Sequence, residues 1–230
     1  MTDVLDLGTS VLATLSRSGS GIWVGPLGPR PKEPLHLYEF EACPFCRKVR
    51  EALTILDLEV MVYPCPKGGS RYRSVVQEKG GRLMFPYLVD PNTDQAMYES
   101  SDIIRYLFDT YGEGKVPVML DNPLVMLSTG LATLARLNKG QQVRPSRMPE
   151  KPLELWSFEG SPYSRMVRET LCELELPYLL HNVGKDSPSR AAFVERSGKM
   201  MVPYLADPNT GTTMFESADI QQYLERTYAL

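Results

Sequence analysis

Apolar and polar positions alternate over residues 35–40, just after Pro34, which predicts a strand. From 44 to 58 the period lengthens. Phe45, Val49, Leu53 and Leu56 fall near one face, which predicts an amphipathic helix. Pro44 suits its first turn, where a missing N–H costs nothing. Residues 59–63 read as the next strand, and 70–78 as a polar helix ending near Gly80-Gly81. A short apolar strand follows at 87–89. Asp90-Pro91-Asn92-Thr93-Asp94 is a turn, and 95–98 is the returning strand. Residues 99–111 form a last helix with Ile103, Ile104 and Leu107 inward, stopped at Gly112. The order βαβ–α–ββα describes an α/β domain with a four-stranded sheet.

The pattern then recurs. Residues 34–41 shifted by 118 give 152–159, and Cys43-Pro44-Phe45-Cys46 lands on Ser161-Pro162-Tyr163-Ser164. Farther on the offset is 117. Over 86–111 against 203–228, 16 of 26 positions are identical, which makes coincidence untenable. Upstream, residues 12–17 resemble 131–136, so each unit includes a leading helix. Proline-rich segments at 25–31 and 144–149 follow these helices. They read either as linkers or as arms bracing the domain behind them. The expected division is 1–33 for the first helix and arm, 34–115 for the first domain, 116–151 for the second helix and arm, and 152–230 for the second domain.

Composition narrows the function. The chain has 230 residues, 43% of them hydrophobic, enough for two small cores. A net charge of −3 gives no electrostatic reason to expect nucleic acid as a partner. No apolar run approaches a membrane span. The start, with Asp3 and Asp6, lacks the features of a secretory or transit peptide.

Four cysteines are too few for a disulfide scaffold, but Cys43 and Cys46 form a CxxC. His36 and His181 do not stand at zinc-ligand spacing from it, so no metal site is expected. Cys43 precedes a helix, whose free N–H groups and dipole favour a thiolate; Arg47 and Lys48 either add to this or are solvated. Cys46, one turn later, can resolve a mixed disulfide by exchange. The rival reading is a buried, inert pair. Cys65 is read as a third redox thiol or an idle loop cysteine. Cys172, aligned with Thr54, is read as core filling.

The element order, the Cys43-Pro44-Phe45-Cys46 motif, the pre-strand Pro86 and the Glu99-Ser100 pair together resemble glutaredoxin and the N-terminal domain of glutathione transferases. The resemblance covers about 80 residues in each half and implies two tandem thioredoxin-fold domains. It implies a cis proline at Pro86, which turns the Phe85 main chain toward glutathione's cysteinyl backbone. Glu99 would accept from the γ-glutamyl ammonium, and Ser100 with nearby N–H groups would donate to its carboxylate. Glu99-Ser100 can also be read as a plain helix cap. Lys67 is a candidate for the glycyl carboxylate.

In the second half Ser161, Val202, Pro203, Glu216 and Ser217 keep the frame without a thiol. That half is read as a glutathione site with Ser161 as thiolate stabiliser, a docking surface, or a structural copy. The expected activity is glutathione-dependent reduction of disulfides or glutathionylated proteins in a reducing compartment, cytoplasm or plastid stroma. Its rivals are a transferase or peroxidase using the second site, a non-enzymatic binding module, and an iron–sulfur carrier, which is not favoured. A full transferase has an all-helical second domain. This chain has a second thioredoxin-like unit there instead, which puts conjugation in doubt.

Overall fold

The computed structural model describes residues 4–15, 20–121, 136 and 139–230. The first half runs α1 (Val4–Leu15), β1 (Leu35–Glu39), α2 (Pro44–Ile55), β2 (Val60–Pro64), α3 (Arg73–Gly80), β3 (Tyr87–Asp90), β4 (Gln95–Met97) and α4 (Ser100–Tyr111). After α5 (Val118–Asp121), the second half repeats the order: β5 (Leu153–Ser157), α6 (Pro162–Glu173), β6 (Tyr178–Asn182), α7 (Arg190–Ser197), β7 (Tyr204–Asp207), β8 (Thr212–Phe215) and α8 (Ser217–Tyr228).

Each expected strand and helix of the two βαβ–α–ββα units is present, with shifts at the ends. Helix α2 stops at Ile55, short of 58, because Asp57 adopts a left-handed φ of 50°. Helix α3 begins at Arg73, later than 70. The Ser70 and Arg71 N–H groups instead donate to the Glu175 carboxylate of the second half. Phe45, grouped above with the inward face of α2, is 47% exposed, whereas Val49, Leu53 and Leu56 are fully buried. The leading helix of the first half is α1. The expected second one, 131–136, lies outside the described residues except for Arg136.

The two halves share one eight-stranded sheet, in the order β4-β3-β1-β2-β6-β5-β7-β8. Strands β1 and β2 are parallel, as are β5 and β6. The halves join where β2 pairs antiparallel with β6, with Met61 opposite Leu179. These two residues are 118 apart, the repeat offset, so the seam has a local two-fold relation. A single apolar cluster under α2, α4, α6 and α8 crosses it, containing Leu53, Val62, Leu171 and Leu180. Full burial of each such side chain stabilises by about 1.5–3 kcal/mol.

Each proline-rich segment, taken with the residues just before it, touches both halves. Trp23 pairs with Lys185 of the second half, after which Gly25 and Gly28 donate to Ile55 and Tyr111 of the first. Likewise Gln142 pairs with Lys67 of the first half, and Arg144 and Arg147 donate to Glu173 and Tyr228 of the second. Helix α1 also crosses over. Its Ser10 hydroxyl donates to the Pro162 carbonyl (2.7 Å), and Thr14 donates to that of Gly160 (3.1 Å).

Charge is buried at the seam. Arg50 pairs with Glu39, with Glu41 (3.3 Å) and with Glu159 (2.9 Å). Arg168 pairs with Glu41 (3.2 Å) and Glu159 (2.8 Å). All five side chains are nearly inaccessible. Such charges are tolerated only when mutually paired. Burial pushes the Glu39 carboxyl up to about 7, against the pull of Arg50.

Candidate functional site

Helices α2 and α6 begin in the same way. Cys43 caps α2 at φ −75°, ψ 121°, and its sulfur accepts from the Cys46 N–H at 3.3 Å. Ser161 caps α6 at φ −74°, ψ 114°, and its hydroxyl oxygen accepts from the Ser164 N–H at 3.2 Å. Proline follows in each case, so the first turn is preset.

The two thiols of the first half are driven apart. A hydrogen bond from Cys46 holds the Cys43 thiol below its ordinary value. Burial opposes this, the Cys46 and Phe45 N–H groups assist it, and the nearby Glu39 charge works against it. Burial pushes the Cys46 thiol well up, and the bond to Cys43 adds to that. Both cysteines are buried, and the two directions make Cys43 the more thiolate-prone of the pair and Cys46 the one that keeps its proton more readily. All four cysteines are free thiols. Arg47 and Lys48 are both buried, and Arg47 interacts with Glu159 and the other seam charges. Neither is a principal source of the Cys43 shift.

Beside each helix start lies a cavity. In the first half it measures about 110 Å³ and is lined by Phe45, Met84, Phe85, Pro86, Glu99 and Ser100. In the second it measures about 230 Å³, lined by Tyr163, Met201, Val202, Pro203, Glu216 and Ser217. The linings correspond one for one under the repeat offsets. The Phe85–Pro86 and Val202–Pro203 bonds are both cis. Glu99 and Glu216 have left-handed φ values of 64° and 66° and make no side-chain cap bond, so the plain capping reading fails. A glutamate in this backbone region is strained, and such residues concentrate at ligand sites. Both carboxylates are exposed, while Ser100 and Ser217 are buried at the helix starts.

The cavities thus gather Phe85, Pro86, Glu99 and Ser100, and separately Val202, Pro203, Glu216 and Ser217. Phe45, Met84 and their second-half counterparts went unassigned. Their only signals were the aromatic inside each four-residue motif and the methionine two before each cis proline. Lys67 is not part of the lining. Its main chain instead pairs with the second arm, and its N–H donates to Gln141. Cys65 is fully buried beneath Tyr72 and Tyr38, its N–H donates to the Glu39 carbonyl, and burial pushes its thiol far up. That environment disfavours exchange. Cys172 is buried at the seam and is more than filling. Its sulfur accepts from the Glu41 N–H (3.4 Å), and its thiol donates to the Gly140 carbonyl (3.2 Å). Among the described residues there is no group of three or more metal-type ligands, and no helix is long and apolar enough to cross a membrane.

Segments 37–115 and 155–230, more than half the chain, match the family model of the glutathione S-transferase N-terminal domain. The chain belongs to that family, carrying the domain twice in tandem. No curated protein matches it. Among solved structures, a glutathione transferase of Bombyx mori aligns at 23% identity over 37% of this chain and 39% of its own, with a TM-score of 0.33. A trimeric glutathione transferase of Leishmania aligns at 13% identity over 86% of this chain and 67% of its own, with a TM-score of 0.31. The aligned part thus spans well under half of the Bombyx mori protein.

Proposed function

We propose that this chain is a glutathione-dependent thiol–disulfide oxidoreductase of the glutaredoxin kind, with its chemistry in the first half. The observation that carries the reading is the asymmetric pair, Cys43 lowered at a helix cap and Cys46 raised beneath it, beside the Pro86 and Glu99-Ser100 cavity. The Cys43 thiolate attacks the glutathionyl sulfur of a mixed disulfide. The substrate leaves as its thiolate and takes up a proton, and Cys43 is left joined to glutathione. A second glutathione thiolate attacks that sulfur, so oxidised glutathione leaves and Cys43 is regenerated. With a protein disulfide, Cys46 displaces the substrate thiolate from Cys43, and two glutathiones then reduce the Cys43–Cys46 bond. Glu99 and Ser100 hold the γ-glutamyl end, and the Phe85 main chain aligns the cysteinyl unit.

The test is glutathione-dependent reduction of a small mixed disulfide by wild type, Cys43→Ser and Ser161→Ala. Turnover is expected to vanish in Cys43→Ser and persist in Ser161→Ala. Turnover that survives loss of Cys43 and depends on Ser161 would move the chemistry to the second half. The larger second cavity, with the Ser161 hydroxyl at its helix start, is the observation that favours this transferase-like alternative.

A further inference from the structure

The loop carrying Cys43 is fastened largely by the other half of the molecule. Every polar group of Glu41, two residues before the nucleophile, is engaged. Its N–H donates to Cys172 Sγ at 3.4 Å. Its carbonyl accepts from Arg50 Nη2 at 3.1 Å. Its carboxylate accepts from Arg168 Nε and Nη2, both at 3.2 Å, as a two-pronged pair. Cys172 and Arg168 belong to α6, one turn apart. The fork also holds the Ser157 hydroxyl (3.1 Å) and Glu159 (2.8 Å), so it is fixed from behind by β5 and the loop after it. A planar guanidinium satisfied on several sides is a rigid anchor.

We infer that Arg168 of the second domain is a positioning residue for Cys43, acting through Glu41, and that the second half is a working part of the first half's site. The inference rests on the proposed role of Cys43 and deepens it, because it assigns a task to a half that has no thiol at its own helix cap. The physical logic has two parts. The Glu41 latch fixes the turn in which the Cys43 N–H donates to the Phe40 carbonyl (3.0 Å), and hence the aim of the sulfur at the Cys46 N–H. Arg168 also shares the neutralisation of Glu41 and Glu159 with Arg50. Without it Arg50 would be the one arginine still ion-paired with Glu39, Glu41 and Glu159, helped only at longer range by Arg47 and Arg165, and the added negative charge behind Cys43 would oppose a thiolate. Glu39 on β1 is the charge that acts directly on the thiol, and the seam charges coupled to it are Glu41 on the loop, Arg47 and Arg50 on α2, Glu159 after β5, and Arg165 and Arg168 on α6.

The experiment measures the pH dependence of Cys43 alkylation in the full chain, with peptide mapping to assign the label. Arg168→Met is expected to slow alkylation at pH 7 by about tenfold, an upward move of about one unit in the midpoint. Arg168→Lys should recover part of it. Should Arg168→Met fail to fold, the paired change Glu41→Gln with Arg168→Met removes one charge of each sign, and a severalfold slowing is expected there. A folded variant with the wild-type alkylation profile would overturn the inference, whichever of the two it is. Alkylation reads the thiol without turnover. Wild type that is inactive on mixed disulfides but sensitive to Arg168 would therefore sink the oxidoreductase reading and leave the positioning role standing.

Discussion

At the scale of the residue, Cys43 and Ser161 sit on almost the same backbone, and each accepts from the N–H three residues on. If that geometry lowers the Cys43 thiol, it should lower any thiol placed at Ser161. Ser161→Cys is therefore expected to add one thiol that alkylates rapidly at neutral pH, giving two labelled sites by mass spectrometry where wild type gives one. The rate should climb with pH to a midpoint below that of a free cysteine and flatten above it, because only the thiolate reacts. A new thiol no faster than one in an unfolded peptide would show that the helix start alone does not activate Cys43 and that the Cys46 side-chain bond is required. The cysteine pair and the Glu99-Ser100 and Pro86 landmarks were legible in the sequence because each has a local signature. Phe45 was not, since helical spacing alone cannot distinguish a core position from a cavity wall at the first turn. Glu41, Arg50 and Arg168 look like ordinary surface charges until the other half is set against them.

At the scale of the element, the repeated Asp-Pro-Asn-Thr turn does more than reverse the chain. Asp90 accepts from the hydroxyls of Tyr106 and Tyr111 on α4, each at 2.5 Å, and from Asn92, whose side chain also accepts from the N–H groups of Lys32 and Glu33 in the arm. Asp207 does the same with Tyr223, Tyr228 and Asn209. Each carboxylate ties hairpin, last helix and arm together. Burial raises both carboxyls, but the donated hydrogen bonds prevail and both lie below their ordinary value. A depressed carboxyl contributes stability that is full above its unfolded pKa and lost as pH falls through its folded one. Asp90→Asn is expected to cost about 1.5–3 kcal/mol at pH 7. In urea melts its gap from wild type should close as pH drops below about 4. A gap that stays constant down to pH 3 would mean the charge contributes nothing. The turn itself was evident from its residue types. Its role as a hub was not, because the tyrosines that make it one lie on a different element.

At the scale of the whole molecule, the duplication was plain in the sequence, yet the joining of both copies into one sheet was not. Alternation marks 59–63 as a strand without saying what covers its outer edge. The seam itself carries a further consequence. Glu41 and Arg50 recur as Glu159 and Arg168 at the repeat offset, and the β2–β6 register is centred on residues related by the same offset. The first half alone therefore owns both members of an isologous contact and can offer β2 to a second copy of itself. A fragment of residues 20–121 is expected to sediment as a dimer, because as a monomer it would leave Arg50 without Glu159 and Glu41 without Arg168, beside an open strand edge. That dimer should be weaker than the native seam. The Thr54 hydroxyl bonds Asn182 at 2.9 Å in the intact chain, and the first-half residue at the Asn182 position is Pro64. The covalent link also raises the effective concentration of the two halves, which a free fragment loses. Arg50→Glu in the fragment should abolish dimerisation by placing a third acid among Glu39 and Glu41. Analytical ultracentrifugation across a dilution series decides the matter: a fragment folded and monomeric at every concentration would show that the halves are held by their arms rather than by the seam.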